Sequence, residues 1–480
     1  WCDAEILRQI RRKSLARLRR EVEPVEQHTL ARFLTHWQGL LLPRRSSHAH
    51  LDALLDAVES LQGAPIPASL LETSILPARV AGYDSAGLDT LIAAGEITWA
   101  GIDPIGERDG RIALFLADKL PLLAQQRPVT EPLTEREEKL LAVLESTGAN
   151  FFDPLHQAVG GGYPGESIDA LWSLVWRGLV TNDSLHALRA YTTRPDSSRP
   201  QRRSHTGMVF RSRRTTPPNA QGRWSLLPLR SREGTDGAPS NTEASHALAL
   251  QLLNRYGVLT REAVAAENIP GGFSAVYDVL KALEEGGRIR RGYFVAGLGA
   301  TQFALPAAVD LLRQLRTEPP AEKPEFVQLA ATDPSNPYGS VLRWPDLPVM
   351  DEDSESAPRI LTRAVYAEVV LRNGQLVAWL RRNNPNLLVF LPADEPERSQ
   401  VASGLAHFLS ARGQDRMRTS SHQGVLITTI NGQPTVAHPM ARFLMDAGFH
   451  PGPLGLHLRR IPIPIHHDTH TDEMPSEEIQ

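Results

Sequence analysis

The sequence predicts an α+β chain of tandem winged-helix modules, followed by a small β-barrel and a C-terminal α/β module of winged-helix type. Three observations predict it. A helix–helix–helix–β-ribbon order recurs between Leu51 and Leu305. Each copy runs an apolar helix into a glycine and then a strand, as in LIAAGEITWAG, LVWRGLVTNDS and LEEGGRIRRGYFV. Past Leu305 the helical spacing gives way to alternating strand-like runs and two Asn-Gly hairpin pairs.

In the first copy (51–120), Leu51–Leu61, Ser69–Ile75 and Ser85–Ala94 read as helices. Ile97–Trp99 and Arg111–Leu116 read as the wing. The second copy (130–192) offers helices Glu135–Ser146 and Gly165–Arg177 and a strand at Leu179–Thr181. In the third (242–320), helices cover Glu243–Tyr256, Arg261–Glu267 (capped by Thr260) and Phe273–Glu285. Its hairpin is Arg288–Val295 with Gln302–Leu305. Gly95, Gly178 and Gly287 sit where a helix C-cap needs positive φ. The copies lie at uneven intervals, so they are duplicated modules and not a solenoid.

Residues 1–50 open with a basic amphipathic helix, Trp1–Arg20, carrying Arg11 and Arg12. It reads either as a phosphate-contacting helix or as a solvated face whose Arg stems cover apolar surface. Residues 193–241 are rich in Arg, Pro, Ser, Thr and Gly and read as a mostly disordered linker. Its Arg202, Arg203, Arg211, Arg213 and Arg214 suit a tether along phosphates, or only solubility. Order is expected to resume near Pro217-Pro218 and Trp224–Leu229. Residues 321–395 read as the β-barrel: Leu329–Thr332, Arg363–Leu371, Gln375–Leu380 and Leu387–Leu391, interrupted by the acidic Asp351–Glu355. The C-terminal module (396–462) combines helix Arg398–Arg412, hairpin Val425–Ile430 and helix His438–Ala447. Residues 463–480 read as a disordered tail.

The 480 residues suffice for three or four domains. Their net charge of −4 excludes a uniformly basic nucleic-acid coat. No apolar run is long enough for a membrane span, and no secretory leader is visible. With Cys2 as the single cysteine no internal disulfide can form, so a reducing cytoplasm is the simplest compartment. Because the chain starts at Trp1, it is expected to be a piece of a longer protein.

Several phrases carry a likeness. WCDAEILRQIRRKSLARLRREVEPV, ARFLTHWQGL and IPASLLETSILPARVAGY resemble the end of the conserved core of the large helicase-related (Lhr) DNA helicases. GRWSLLP, RYGVLTREAVAAENIPGGFSAVYDVLKALEEGGRIRRGYFVAGLGATQFALP and LAATDPSNPYGSVLRWP resemble the long C-terminal extension of the same proteins. The resemblance implies a parent protein that is an ATP-dependent 3′-to-5′ DNA translocase acting in repair. It also implies an extension of winged helices plus a β-barrel, similar to AlkZ-type glycosylases and associated with oligomer formation. ATP and Mg would belong to the parent's motor. This chain has neither a G-x-x-x-x-G-K-[ST] loop nor a DExH-like box, so no cofactor is expected in it.

A glycosylase needs a pocket for an extruded base and a polar group beside the sugar. The AlkZ-type motif, two polar residues flanking an apolar one, is approached only by Gln302-Phe303-Ala304, whose third residue is not polar. Asp333, in ATDPSNPYG, is the second catalytic candidate. It could face a ribose, or simply close an Asx-Pro turn. His466, His467, His470 and Asp472 lack a rigid frame, so no metal site is expected. The clearest nucleic-acid feature is the basic wing strand with Arg288, Arg290 and Arg291. The third helix before it carries Asp278, Glu284 and Glu285 against Lys281 alone, which suits groove insertion poorly. Three readings remain: a DNA-binding (single-stranded or tailed duplex) and homo-oligomer-forming region of a helicase; a glycosylase acting on uracil or an alkylated base; or a scaffold touching only protein.

Overall fold

The computed structural model describes residues 23–41, 50–124, 131–193, 216–227, 240–320, 323–347, 360–382, 384–419 and 424–459. They fall into two compact units, one containing the described residues through Arg382 and the other those from Asn384 onward.

The first unit begins with α1 (Gln27–Trp37). Module 1 follows. Helix α2 (His50–Leu61) leads through β1 (Ile66–Pro67) into α3 (Ala68–Leu70), a π-helical turn at Leu71–Ile75, and α4 (Leu76–Arg79). Asp84 then caps α5 (Ser85–Ala93), accepting from the Ala86 amide. The wing is β2 (Ile97–Ile105) with β3 (Asp109–Leu116), and a short α6 (Leu120–Leu123) closes the module.

Module 2 opens with a full capping box, Thr134 with Glu137, on α7 (Glu135–Thr147). It continues with β4 (Asn150–Phe151), α8 (Phe152–Ala158), α9 (Pro164–Trp176), β5 (Val180–Asn182) and α10 (His186–Thr192). The module is closed by β6 (Arg223–Leu226), which pairs with both β4 and β5. Order thus resumes within the 193–241 segment, near Trp224 as the sequence suggests, but the pairing of this strand with module 2 was not read from it. Trp224 is fully buried.

Module 3 repeats the plan. Ser240 and Glu243 form a second capping box on α11 (Asn241–Tyr256). After it come β7 (Val258–Leu259), α12 (Arg261–Ala266) capped by Thr260, α13 (Ser274–Glu285), β8 (Arg290–Gly292) and β9 (Gln302–Ala304). Each module places its last strand between its first and second: β1-β3-β2, β4-β6-β5 and β7-β9-β8. The junction glycines adopt φ of 78° (Gly95), 68° (Gly178) and 74° (Gly287), as a helix stop followed by a strand requires.

After α14 (Pro306–Gln314) come β10 (Phe326–Ala330), β11 (Ala367–Arg372) and β12 (Gln375–Arg381), an antiparallel meander turned at Asn373-Gly374. The expected small barrel is corrected here: the strands stay open, and no closed barrel is found among the described residues. Leu315 and Glu325, in the segment that leads into β10, are tied to α1 through Arg32.

The second unit holds β13 (Asn386–Val389), α15 (Glu397–Thr419), β14 (Gly424–Ile427), β15 (Thr429–Ile430), β16 (Gln433–Pro434), α16 (Ala441–Asp446), β17 (His450–Gly452) and β18 (Gly455–Arg459). The order β14-β18-β17 repeats the winged-helix plan, with the β15–β16 hairpin standing where the second helix would be.

Candidate nucleic-acid interface

Winged helices present their third helix and wing to nucleic acid, so the fate of each third helix decides which module is available. In module 2, α9 is consumed by packing. Ile168, Leu171, Trp172, Leu174, Val175 and Trp176 are buried. Tyr191 stacks on Trp172 at 4.2 Å, and Trp224 meets the same indole edge-on at 5.6 Å. The wing of module 1 lies against this helix. A Cβ on Gly101 would strike the Val175 backbone, and one on Gly110 would overlap the Trp176 ring. Trp99 Nε1 donates to Asn182 O at 3.0 Å, and Thr181 Oγ1 donates to Trp99 O at 2.6 Å. Modules 1 and 2 therefore share one hydrophobic core.

The third helix of module 1 is tied to module 2 at one residue, Asp89, while Ser85, Ala86, Thr90 and Ala93 stay exposed. Arg189 of α10 holds Asp89 on α5 through two bonds of 2.8 Å, and Glu72 at 2.6 and 3.0 Å. Tyr83 completes the knot by donating to Glu72 at 2.6 Å. Burial and the neighbouring Glu72 push that phenol well above its ordinary range.

Module 3 differs. On α13, Val276, Leu280 and Leu283 face inward, while Ser274, Asp278, Lys281 and Glu285 are exposed. The three wing arginines have distinct surroundings. Arg288 is exposed at the rim of an apolar cavity of about 440 Å³ between α11 and α13. Arg290 lies 3.7 Å from Asp310, which places that helix residue as a partner of the wing. Arg291 is half-buried, its guanidinium 5.8 Å from the Phe303 ring. The other sequence-chosen cations, Arg11, Arg12, Arg202, Arg203, Arg211, Arg213 and Arg214, lie outside the described residues, as do His466, His467, His470 and Asp472.

Both catalytic candidates are fully engaged. Gln302 is wholly buried. Its Oε1 accepts from the Phe294 and Val295 amides, both at 2.9 Å. Its Nε2 donates to Val295 O (2.9 Å) and Gly299 O (3.1 Å), so the amide staples the wing loop. Asp333 is 1% exposed. Its two oxygens accept from Arg79 at 2.9 and 3.0 Å, and Oδ1 also takes the Ser335 amide at 2.7 Å. Burial alone would raise its pKa, but the Arg79 charge and these bonds hold the carboxyl below the usual range. Arg363 donates to Asp333 O, Asn336 O and Tyr338 O behind it. Neither side chain has a polar atom turned to solvent.

Sequence reasoning missed Arg79, Arg189 and Arg255. Arg255 pairs with Glu267 and donates to Gln62 O, tying module 3 to module 1. Their partners lie at separations of 254 residues (Arg79), 117 (Arg189) and 193 (Arg255), and no local pattern marks them.

Winged helices in series, with the third helix of module 2 buried and that of module 3 keeping an exposed stripe, define a tandem winged-helix protein. Comparison with known proteins agrees. Residues 25–117 and 238–324 each match a winged-helix domain of the large helicase-related protein. An "Lhr helicase/ probable uracil glycosylase" from Mycolicibacterium smegmatis is 38% identical over 473 residues, covering 96% of this chain and 30% of that protein. An "Lhr helicase/uracil glycosylase" from Escherichia coli is 35% identical over 488 residues, covering 95% of this chain and 30% of that protein. The chain thus carries two winged-helix domains of the large helicase-related type and is similar to the C-terminal region of those relatives. It spans about a third of their length. Among the described residues no helix is long and apolar enough to cross a membrane.

Proposed function

We propose that this chain is the DNA-binding and subunit-joining region of an ATP-dependent 3′-to-5′ DNA-repair helicase. In this reading ATP and Mg act in a motor outside the chain, and the partners are single-stranded or tailed duplex DNA and further copies of the protein in a reducing cytoplasm. The observation that carries it is the series of winged helices in which module 3 keeps its helix-turn-helix face exposed. Binding should weaken steeply with salt, because phosphate contacts release counterions. Anisotropy titrations of a tailed duplex at rising salt test this, and affinity indifferent to salt would contradict it. Light scattering tests assembly: a mass above the 52.9 kDa of one chain is expected.

A second reading is supported by the names of both relatives, each of which includes a uracil glycosylase. It gives this region hydrolysis of an N-glycosidic bond at uracil or an alkylated base, with Asp333 and Gln302 as the proposed polar groups. Asp333 would have to leave Arg79 to reach a sugar. Incubation with uracil-bearing oligonucleotides, without ATP or metal, decides. Alkali-labile breaks support the activity, and breaks that persist in Asp333→Asn remove that residue from it.

A further inference from the structure

Module 3 carries a cluster that neither the wing arginines nor the family match explains. Phe303 is fully buried in β9 and forms its floor. Phe273, in the turn before α13, lies 6.4 Å from it, and Tyr277, one turn into α13, 6.2 Å away and edge-on. Phe273 and Tyr277 are 5.8 Å apart, and both are only partly buried. An arginine flanks each end. The exposed Arg261, at the start of α12, stands 5.7 Å over Phe273, and Arg291 of the wing stands 5.8 Å over Phe303. Neither has a carboxylate partner among the described residues, whereas Arg79, Arg189 and Arg255 all do. The turn leading into Phe273 is Pro270-Gly271-Gly272, and a Cβ on Gly272 would meet nothing. A strand could therefore approach the backbone closely there.

Half-exposed rings between uncommitted guanidinium groups are the components of a single-strand site: rings for base faces, cations for phosphates. Duplex-groove insertion is disfavoured at the same place by Asp278 on the exposed side of α13. We infer that Arg261, Phe273, Tyr277 and Arg291 form a stacking site for an unpaired base of single-stranded nucleic acid, the arginines holding the flanking phosphates. The inference rests on the DNA-binding reading above and specifies where and how the strand is held.

The test titrates a fluorescent thymidine oligonucleotide of about 20 nucleotides, and a matching strand of abasic spacers, against the full chain. Tyr277→Ala should weaken thymidine binding by about tenfold, within the span of base–aromatic stacking. Tyr277→Phe should stay within about twofold, since the ring and not the hydroxyl is used. The abasic strand should bind the unchanged chain as weakly as thymidine binds Tyr277→Ala. Arg261→Ala with Arg291→Ala should flatten the log-affinity against log-salt slope by about 1.4, two phosphates at ~0.7 each on a single strand. Equal affinity of the unchanged chain for thymidine and abasic strands overturns the stacking site without touching the DNA-binding reading. So do variants that all match the unchanged chain in affinity and slope. Failure of the unchanged chain to bind any DNA overturns both.

Discussion

Modules 2 and 3 share a sheet order and, apart from α10 between β5 and β6, an element order, yet they use the same helix for opposite purposes. In module 2 the third helix, α9, is apolar on nearly every side and lies under the module 1 wing. In module 3 the equivalent α13 buries one stripe and leaves Asp278, Lys281 and Glu285 in solvent. The difference follows from sequence: α9 reads IDALWSLVW where α13 reads VYDVLKALEE. Two tryptophans spaced four residues apart make one face of α9 too wide to stop at its own module's core. One plan, repeated, thus yields a structural joint in one place and an available surface in another.

This contrast can be broken by mutation, beginning where the effect should be largest. Trp172→Ala should destabilise by about 4 kcal/mol, because the indole sits between Tyr191, Trp176 and Trp224. Denaturant unfolding checks it, and a loss under about 1 kcal/mol would mean the aromatic joint is dispensable. Asp333→Asn should cost about 3 kcal/mol, since it leaves the buried Arg79 guanidinium without its counter-charge. Its pH signature has a definite sign. The folded carboxyl is held below the unfolded value of about 3.9, so its stabilisation is complete above that pH and is lost as pH falls through the lower folded value. Melting curves between about pH 3 and pH 6 should therefore converge for Asp333→Asn and the unchanged chain only at the acid end. Gly110→Ala, pushing a methyl into the Trp176 ring, should cost about 2 kcal/mol. The smallest effect should come from Asp278→Asn on α13, within about 0.5 kcal/mol of unchanged stability. It should also tighten DNA binding modestly, because a carboxylate beside the strand is removed.

Much of the fold was legible before the structure, for local reasons. The glycine-stopped helices ending at Gly95, Gly178 and Gly287 are encoded within a dozen residues each, and so is the capping residue Thr260. What could not be read was non-local. Strand β6 pairs across the Arg-rich segment with β4 and β5, so the apolar run at Trp224 signals order but not its partners. The barrel expectation was not met among the described residues because strand runs tell nothing of closure. At the candidate site, Asp333 was legible as an Asx turn, but its partner Arg79 was not. Arg291 was legible as a wing cation, while its packing over Phe303 depended on a third dimension. The approximation to a polar–apolar–polar motif at Gln302 turned out to be a side chain spent on four backbone bonds.

The central claim, that DNA meets module 3 and not module 2, is tested most directly by amide hydrogen exchange of the full chain with and without a single-stranded oligonucleotide. Slowed exchange confined to Arg261–Tyr277 and the strand Arg290–Gly292, with Pro164–Trp176 unchanged, is the result expected. New protection along Pro164–Trp176, with none in module 3, would contradict it.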